Sequence, residues 1–442
     1  MNVNTIRAVF SLLLAAASAT HCRAISFTAT ILQPVGFSES TAVGASNTNQ
    51  VGHGSGTVTG GLPHALLWSG SASSVVDLHP AGFDASYATG VSDNSQSGYG
   101  QGSTTGSSIH ALLWTGSAGS VIDLHPASLT VSYALGISGS KQVGYGYNVE
   151  NFESHALMWS GSPESVVDLN PLGYSESFAN GVSGEFQAGY GYGASTNLSS
   201  HALLWNGTAG SAVDLNPIDF TESYANAIAG GSQVGSGLGD ATDGMMHALL
   251  WTGSSTSYVD LHPDLFDLSQ AWGVSTFGQV GDGSGSPTNG NNHALYWNGT
   301  AESVVDLHSN LPNTGPTFVS SSAKAIAANG TIVGSATDDN FVTYAVLWTP
   351  SEDSGVLGDY DNNGTVDAAD YIAWRKGNNP LYNEAATIGS NTFDDYNAWR
   401  ERFGNTDQTA TSVAPTTVPE SASILEFMVC LLGVHRFRRF QK

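Results

Sequence analysis

A five-residue unit returns along most of this chain at nearly constant spacing. His64-Ala-Leu-Leu-Trp68 recurs at His110, His155, His201, His247 and His293, and a seventh copy, Tyr344-Ala-Val-Leu-Trp348, begins with tyrosine. Consecutive copies start 45 or 46 residues apart until a last step of 51. Such a period means one supersecondary unit repeated, each copy burying its apolar face against the next. Four short strand-like pieces fill each period, for example residues 86–92, 96–100, 110–114 and 121–125. In the third piece Leu112 and Trp114 point to one face and Ala111 and Leu113 to the other, the pattern of a strand buried on both sides. Thr115-Gly116, Asn206-Gly207 and Asn298-Gly299 follow the tryptophans, where a hairpin needs positive φ.

Four strands in about 45 residues is the size of one blade of a β-propeller. The last copy lacks the Val-Val-Asp-Leu-His piece after its tryptophan, and residues 28–34 supply it, aligning with residues 74–80. A missing last strand supplied by the first is how a ring closes. The expected fold is therefore all-β: a seven-bladed β-propeller over 25–350, closed by the N-terminal strand. A parallel β-solenoid is the rival.

Between Ile25 and Pro350 stand two lysines (Lys141, Lys324), no arginine and 24 acidic residues. Such a surface cannot neutralise phosphates, which excludes nucleic acid as a partner. The repeated His64, His110, His155, His201, His247 and His293, and the repeated Asp77, Asp123, Asp168, Asp214, Asp260 and Asp306, are expected to pair within blades as buried braces. An active site needs unlike groups converging on one point, and no nucleophile–base pair is identifiable. The glycine clusters at 189–193, 235–239 and 281–285 read as turns, since no helix follows to bind phosphate. The variable stretches between the Gln-Val-Gly and His-Ala-Leu pieces carry Tyr145, Tyr147, Asn148, Glu150, Tyr190, Tyr192, Asp240 and Asp243, a make-up suited to stacking on sugar rings or to solvated loops.

The ordered pieces His-Ala-Leu-Leu-Trp, Val-Val-Asp-Leu, Tyr-Ala-x-Gly-Val-Ser and Gln-Val-Gly resemble the extracellular HAF repeat family over residues 27–348. Where that family has a Leu-Gly-Thr-Leu-Gly-Gly run, this chain has His79-Pro80, Asn170-Pro171 or their equivalents. The resemblance implies an extracellular protein and no established reaction.

Residues 359–370 carry oxygen ligands at the spacing of a calcium loop: Asp359, Asp361, Asn363, the Thr365 carbonyl, Asp367 and Asp370, with Gly364 at the sharp turn. Asp370-Tyr-Ile-Ala-Trp-Arg375 is echoed by Asp395-Tyr-Asn-Ala-Trp-Arg400. This duplication resembles a dockerin over residues 357–404, which implies a small α-helical calcium-loop module (355–405) that docks onto a cohesin-like or other surface protein. The second loop has Glu384 and Gly389 but Ala386 and Ile388 at ligand positions, so one calcium ion is expected. Tyr396, Trp399 and Phe403 share a helix face and are expected to pack against Trp374.

Residues 1–24 have the three parts of a secretory signal, with cleavage expected after Ala24. Removal of both termini would take Cys22 and Cys430 with them. Residues 406–418 read as a tether. The tail 419–442, with Val418-Pro419-Glu420, an apolar run and Arg436 to Arg439, resembles the PEP-CTERM sorting signal of Gram-negative-type and planctomycete-like bacteria. It implies transient membrane attachment and an exported, cell-surface protein. The expected function is a non-enzymatic binding or scaffold protein linked to polysaccharide assemblies. The alternatives are a glycan-active hydrolase or lyase at the propeller mouth, marked by convergent non-repeating carboxylates, and a structural envelope or matrix protein.

Overall fold

The computed structural model describes residues 25–148, 152–350, 358–361, 364–376 and 393–406. The leader, the tail and all but Thr406 of the tether lie outside the described residues, as do Glu150, Asn363 and the second loop. The described chain forms two units, Ile25–Pro350 and a second that includes residues 358–406.

The first unit is a seven-bladed propeller of antiparallel four-stranded sheets. Blades 1 to 6 span 37–77, 83–123, 131–168, 174–214, 220–260 and 266–306, and their strands pair in chain order. Blade 7 takes three strands from residues 318–350 and its outermost strand from Phe27–Ile31, which pairs with Thr343–Pro350 in the register Thr28↔Thr349, Ala29↔Trp348, Thr30↔Leu347. The N-terminal strand therefore closes the ring as the repeat alignment predicts. The first strand of every blade lines a central channel.

The third strands form the core between blades. Leu112 and Trp114 pack with Ala65 and Leu67 of the blade before, while Ala111 and Leu113 pack with Leu157 and Trp159 of the blade after. All seven repeat tryptophans are fully buried. A fully buried side chain of this size contributes about 2–3 kcal/mol or more by water exclusion.

A repeated serine ties each blade to the next. The Ala65 N–H donates to Ser86 Oγ at 3.0 Å, and the same bond joins Ala111 to Ser132, Ala156 to Ser177, Ala202 to Ser223, Ala248 to Ser269 and Ala294 to Ser321. The seventh, Ala345 to Ser40 at 3.1 Å, spans the closure. Each serine hydroxyl in turn meets an acceptor. This is a ring nitrogen of His79, His125, His262 or His308, the amide oxygen of Asn170 or Asn216, or that of Gln33 just past the closing strand. His79 Nε2 then reaches the Phe83 carbonyl, as Asn170 Nδ2 reaches that of Tyr174. The asparagine blades reproduce the bonding of a neutral, Nε2-protonated imidazole.

The repeated His–Asp pairs form in six blades at 2.7–2.8 Å. They are not the buried braces expected: the Asp77 side chain is 47% exposed and that of His64 16%. Their Coulombic worth is accordingly small. Asp77 Oδ1 also accepts the His79 N–H at 2.8 Å, and the His64 ring stacks on His79 at 3.7 Å. The pair thus fixes the turn that presents the relay's acceptor.

The glycine clusters are strand residues rather than turns. A Cβ at Gly189 would lie 1.9 Å from the Phe178 carbonyl oxygen, and Gly52, Gly98, Gly144, Gly235, Gly281 and Gly334 meet the same limit at 1.8–1.9 Å. The inner strand bulges at this level, for example between Ala179 and Gly181, and its carbonyl enters the space a side chain would need.

The relay makes stability depend on pH. Burial holds His79, His125, His262 and His308 below the ordinary imidazole value of 6.5. For His79 the stacked His64 adds to this, while the Phe83 carbonyl, Asp77 and Asp84 oppose it. The unfolded chain then binds more protons, so stability present above pH 6.5 is lost as the pH falls through the folded-state values. Replacing all four histidines with asparagine should leave the melting temperature at neutral pH nearly unchanged and reduce its fall on acidification. An equally steep fall would contradict the relay. Melting should be followed by circular dichroism from neutral to mildly acidic pH.

Candidate functional site

Each inner strand sends one bulge residue to the axis: Val43, Thr89, Leu135, Asn180, Asn226, Trp272 and Lys324. Because the bulge residue has no partner across the ladder, the blade fixes its position but not its chemistry. The position therefore varies where the rest of the repeat does not. Apolar and hydroxyl side chains come from blades 1 to 3, and amide, indole and ammonium groups from blades 4 to 7.

Two residues earlier the inner strands carry Thr41, Tyr87, Tyr133, Phe178, Tyr224, Gln270 and Ser322. These face His53, Tyr99, Tyr145, Tyr190, Ser236, Asp282 and Ser335 on the second strands. Eight rings, from His53 to Tyr224, form a continuous arc over blades 1 to 5. Partners within a blade stack at 4.7–4.9 Å, and neighbours across blades meet edge to face at 4.9–5.0 Å. Burial raises the Tyr99 hydroxyl to about 12 and also holds Tyr145 and Tyr190 above their ordinary value, so these tyrosines stay neutral.

The row nearest the loop end holds Glu39, Glu176 and Glu222, with no acid in the other four blades at this position. Tyr192 donates its hydroxyl to Glu176, Tyr224 donates to Glu222 at 2.8 Å, and Ser55 donates to Glu39 at 2.8 Å. The bond to Glu176 lifts the Tyr192 hydroxyl to about 12. Glu176 and Glu222 stand on adjacent blades beside Tyr190 and Tyr224, whose ring centres are 5.0 Å apart. A cavity of about 540 Å³ opens below, lined by Tyr190, Tyr224, Asn180, Asn226, Gln270, Trp272 and Lys324 among others.

On blade 6, next to the blade that carries Glu222, Asp282 is 5% exposed and gathers three donors. The Trp272 indole N–H donates at 2.9 Å, Ser322 donates to the same oxygen, and the Lys324 ammonium lies 3.6 Å away and 4.1 Å above the Trp272 ring centre. Burial pulls Lys324 below its ordinary 10.5, with Asp282 opposing.

Of the variable residues singled out from sequence, Tyr145, Tyr147, Tyr190 and Tyr192 lie in second strands rather than loops. Tyr145 and Tyr190 belong to the arc. Asp240 opens a short 3-10 turn and Asp243 is its C-cap instead. Glu176, Glu222, Tyr224, Trp272, Asp282 and Lys324 escaped the sequence reading. Aligning the repeats column by column would have exposed them, because they occupy the most variable columns of an otherwise regular unit. Serine–histidine contacts such as His79–Ser86 offer no nucleophile, since Ser86 is fully buried and its oxygen already accepts the Ala65 N–H.

The second unit holds helices α1 (Ala368–Lys376) and α2 (Phe393–Arg402). Trp399 packs with Tyr360, Val366 and Ala373, and Trp374 meets Tyr396 at 5.3 Å, as the helix-face pattern predicts. Ligand oxygens of Asp359, Asp361 and Asp370 lie within 4.8 Å of one another. The Gly364 N–H donates to Asp359 at 2.8 Å, while the Asp361 and Asp367 N–H groups donate to Asp370 at 3.0 and 2.7 Å. Asp367 Oδ1 accepts the Ala369 N–H and so caps α1. Burial pushes the Asp370 carboxyl up to about 7; the two N–H donors pull it down, and the charges of Asp361 and Asp359 push it up. Thr365 bridges to Thr406.

No family model matches the chain, and no curated protein matches it. Solved structures to which it is similar include a puromycin-hydrolysing peptidase of Mycobacterium tuberculosis, with TM-score 0.45 and 12% identity over 71% of this chain and 54% of that one. Another is the β-propeller domain of the Trilobed protease of Pyrococcus furiosus, with TM-score 0.44 and 10% identity over 61% and 82%. A puromycin hydrolase gives TM-score 0.40 and 12% identity over 71% and 51%. This chain spans about half the length of the puromycin-hydrolysing peptidase. The expectation of a non-enzymatic binding or scaffold protein is corrected here. That expectation rested on finding no unlike groups that converge on one point, and the channel wall brings Trp272, Asp282, Ser322 and Lys324 together.

The Asp282 cluster is directly testable. Asp282→Ala leaves a buried ammonium and indole unpaired and should cost about 3 kcal/mol in urea denaturation, most of it recovered when Lys324→Met is added. A neutral Asp282→Ala would contradict the assignment.

Proposed function

We propose that the propeller mouth is the site of a glycan-active hydrolase or lyase. The observation that carries this reading is the pair of non-repeating glutamates, Glu176 and Glu222, on adjacent blades at the end of an aromatic arc. Tyrosine faces stack on the C–H faces of sugar rings, and the amides of Asn180, Asn226 and Gln270 can bind their hydroxyls. In hydrolysis one carboxyl group protonates the glycosidic oxygen while the other assists attack at the anomeric carbon, so that water is added across the C–O bond. In the lyase form a carboxylate would remove the proton next to a uronate carboxyl group.

The test is release of reducing ends or unsaturated uronates from a panel of polysaccharides. Glu176→Gln and Glu222→Gln should each lower turnover by about 100-fold or more while melting stays unchanged. Turnover unaffected by both would remove the reading.

For the second unit we read a dockerin-like calcium loop, with one ion held by Asp359, Asp361, Asn363, the Thr365 carbonyl, Asp367 and Asp370. The clustered Asp359, Asp361 and Asp370 support it, since a dication would offset the charge of three carboxylates held this close together. Calcium would supply order rather than chemistry, letting the helices dock to a cohesin-like surface partner of an exported protein. Calorimetric titration should give one calcium per chain, abolished by Asp359→Ala. Binding unchanged in that variant would contradict the site.

A further inference from the structure

We infer that the mouth takes a cationic amino-sugar chain rather than a neutral or acidic one; this rests on reading the mouth as a glycan site. An acidic polymer needs cations to meet it, and the propeller has two lysines and no arginine. Both lysines are already engaged, Lys141 with Glu185 on the surface and Lys324 with Asp282 in the channel wall. Burial holds His53, the ring at the start of the arc, below its ordinary value and so neutral at pH 7.

Of the groups that line the cavity, Lys324 is the one cation and is met by Asp282, and the rest are neutral amides, rings and small or apolar side chains. Glu39, Glu176 and Glu222 stand two residues before Thr41, Phe178 and Tyr224 on their inner strands, each taking one hydroxyl hydrogen bond that leaves acceptor capacity on the carboxylate. At the end of the arc Tyr190 and Tyr224 line the cavity and offer it ring surface, which attracts an ammonium group as well as sugar C–H bonds. With 24 acids against two lysines in this unit, the field at the mouth concentrates cations and repels uronates or sulfates. An amino-sugar chain uses all three features at once: rings on tyrosines, ammonium groups on glutamates, and a favourable approach. A uronate chain would keep the ring and amide contacts but add charge repulsion at each carboxylate, which also favours hydrolysis over elimination.

The experiment is calorimetric titration of the mature protein, in mildly acidic buffer that protonates the sugar amine. The ligands are β-linked glucosamine, N-acetylglucosamine, glucose and galacturonate oligomers of equal length. Glucosamine should bind at least about tenfold more tightly than the other three, lose affinity several-fold as ionic strength rises, and weaken in Glu176→Gln. Equal or tighter binding of the acetylated, glucose or galacturonate oligomer would overturn the inference and leave the glycan reading standing. Failure of all four to bind, with no polysaccharide cleaved in the turnover panel, would overturn both.

Discussion

Every blade hands a hydrogen bond to the next through one buried serine, and the ring exists because the seventh handover succeeds. Six links are sequence neighbours, but Ala345 to Ser40 joins residues 305 apart. There Gln33, just past the strand that completes the last sheet, accepts from Ser40 as histidine or asparagine does elsewhere. A buried N–H without that partner would cost about 1–3 kcal/mol. The same strand covers the hydrogen-bonding edge of Thr343–Pro350 and becomes the outer edge of its own blade. Closure, the inter-blade core and the channel are thus consequences of one repeated contact.

Closure also explains how a repeat protein comes to have a site. The bulge in each inner strand, accommodated by a glycine opposite, turns one residue per blade towards the axis. The scaffold constrains the backbone at that point and leaves the side chain free. Over seven blades the result is a channel with an aromatic, partly apolar side and a polar side, with acids at the rim. Repetition builds the frame, and departure from repetition builds the chemistry.

Much of this was legible in the sequence. The period, the four pieces and the strand missing after Trp348 determine blade number and closure, because hydrophobic alternation and turn glycines report directly on strands. The serine lay in plain view in the Ser-Tyr-Ala piece, but its role depends on a neighbouring blade. Its acceptors stood out only as the His79 and Asn170 positions where the chain departs from HAF repeats. The bulge was invisible, since nothing in Tyr-Ala-x-Gly states that the variable residue leaves the ladder, and with it the convergence of Asn180, Asn226, Trp272 and Lys324 was lost. The histidines failed as buried braces for a similar reason: alternation gives the face of a strand, not its depth below the loop surface.

The contact that closes the ring can be read by hydrogen exchange at single-amide resolution in the full-length protein. The amides that bond across the Phe27–Ile31 and Thr343–Pro350 pairing, together with those of Leu32 and Ala345, should exchange as slowly as their counterparts in blades 2 to 6. Fast exchange of residues 27–32 while the other outer strands stay protected would mean that the first strand does not complete the last blade.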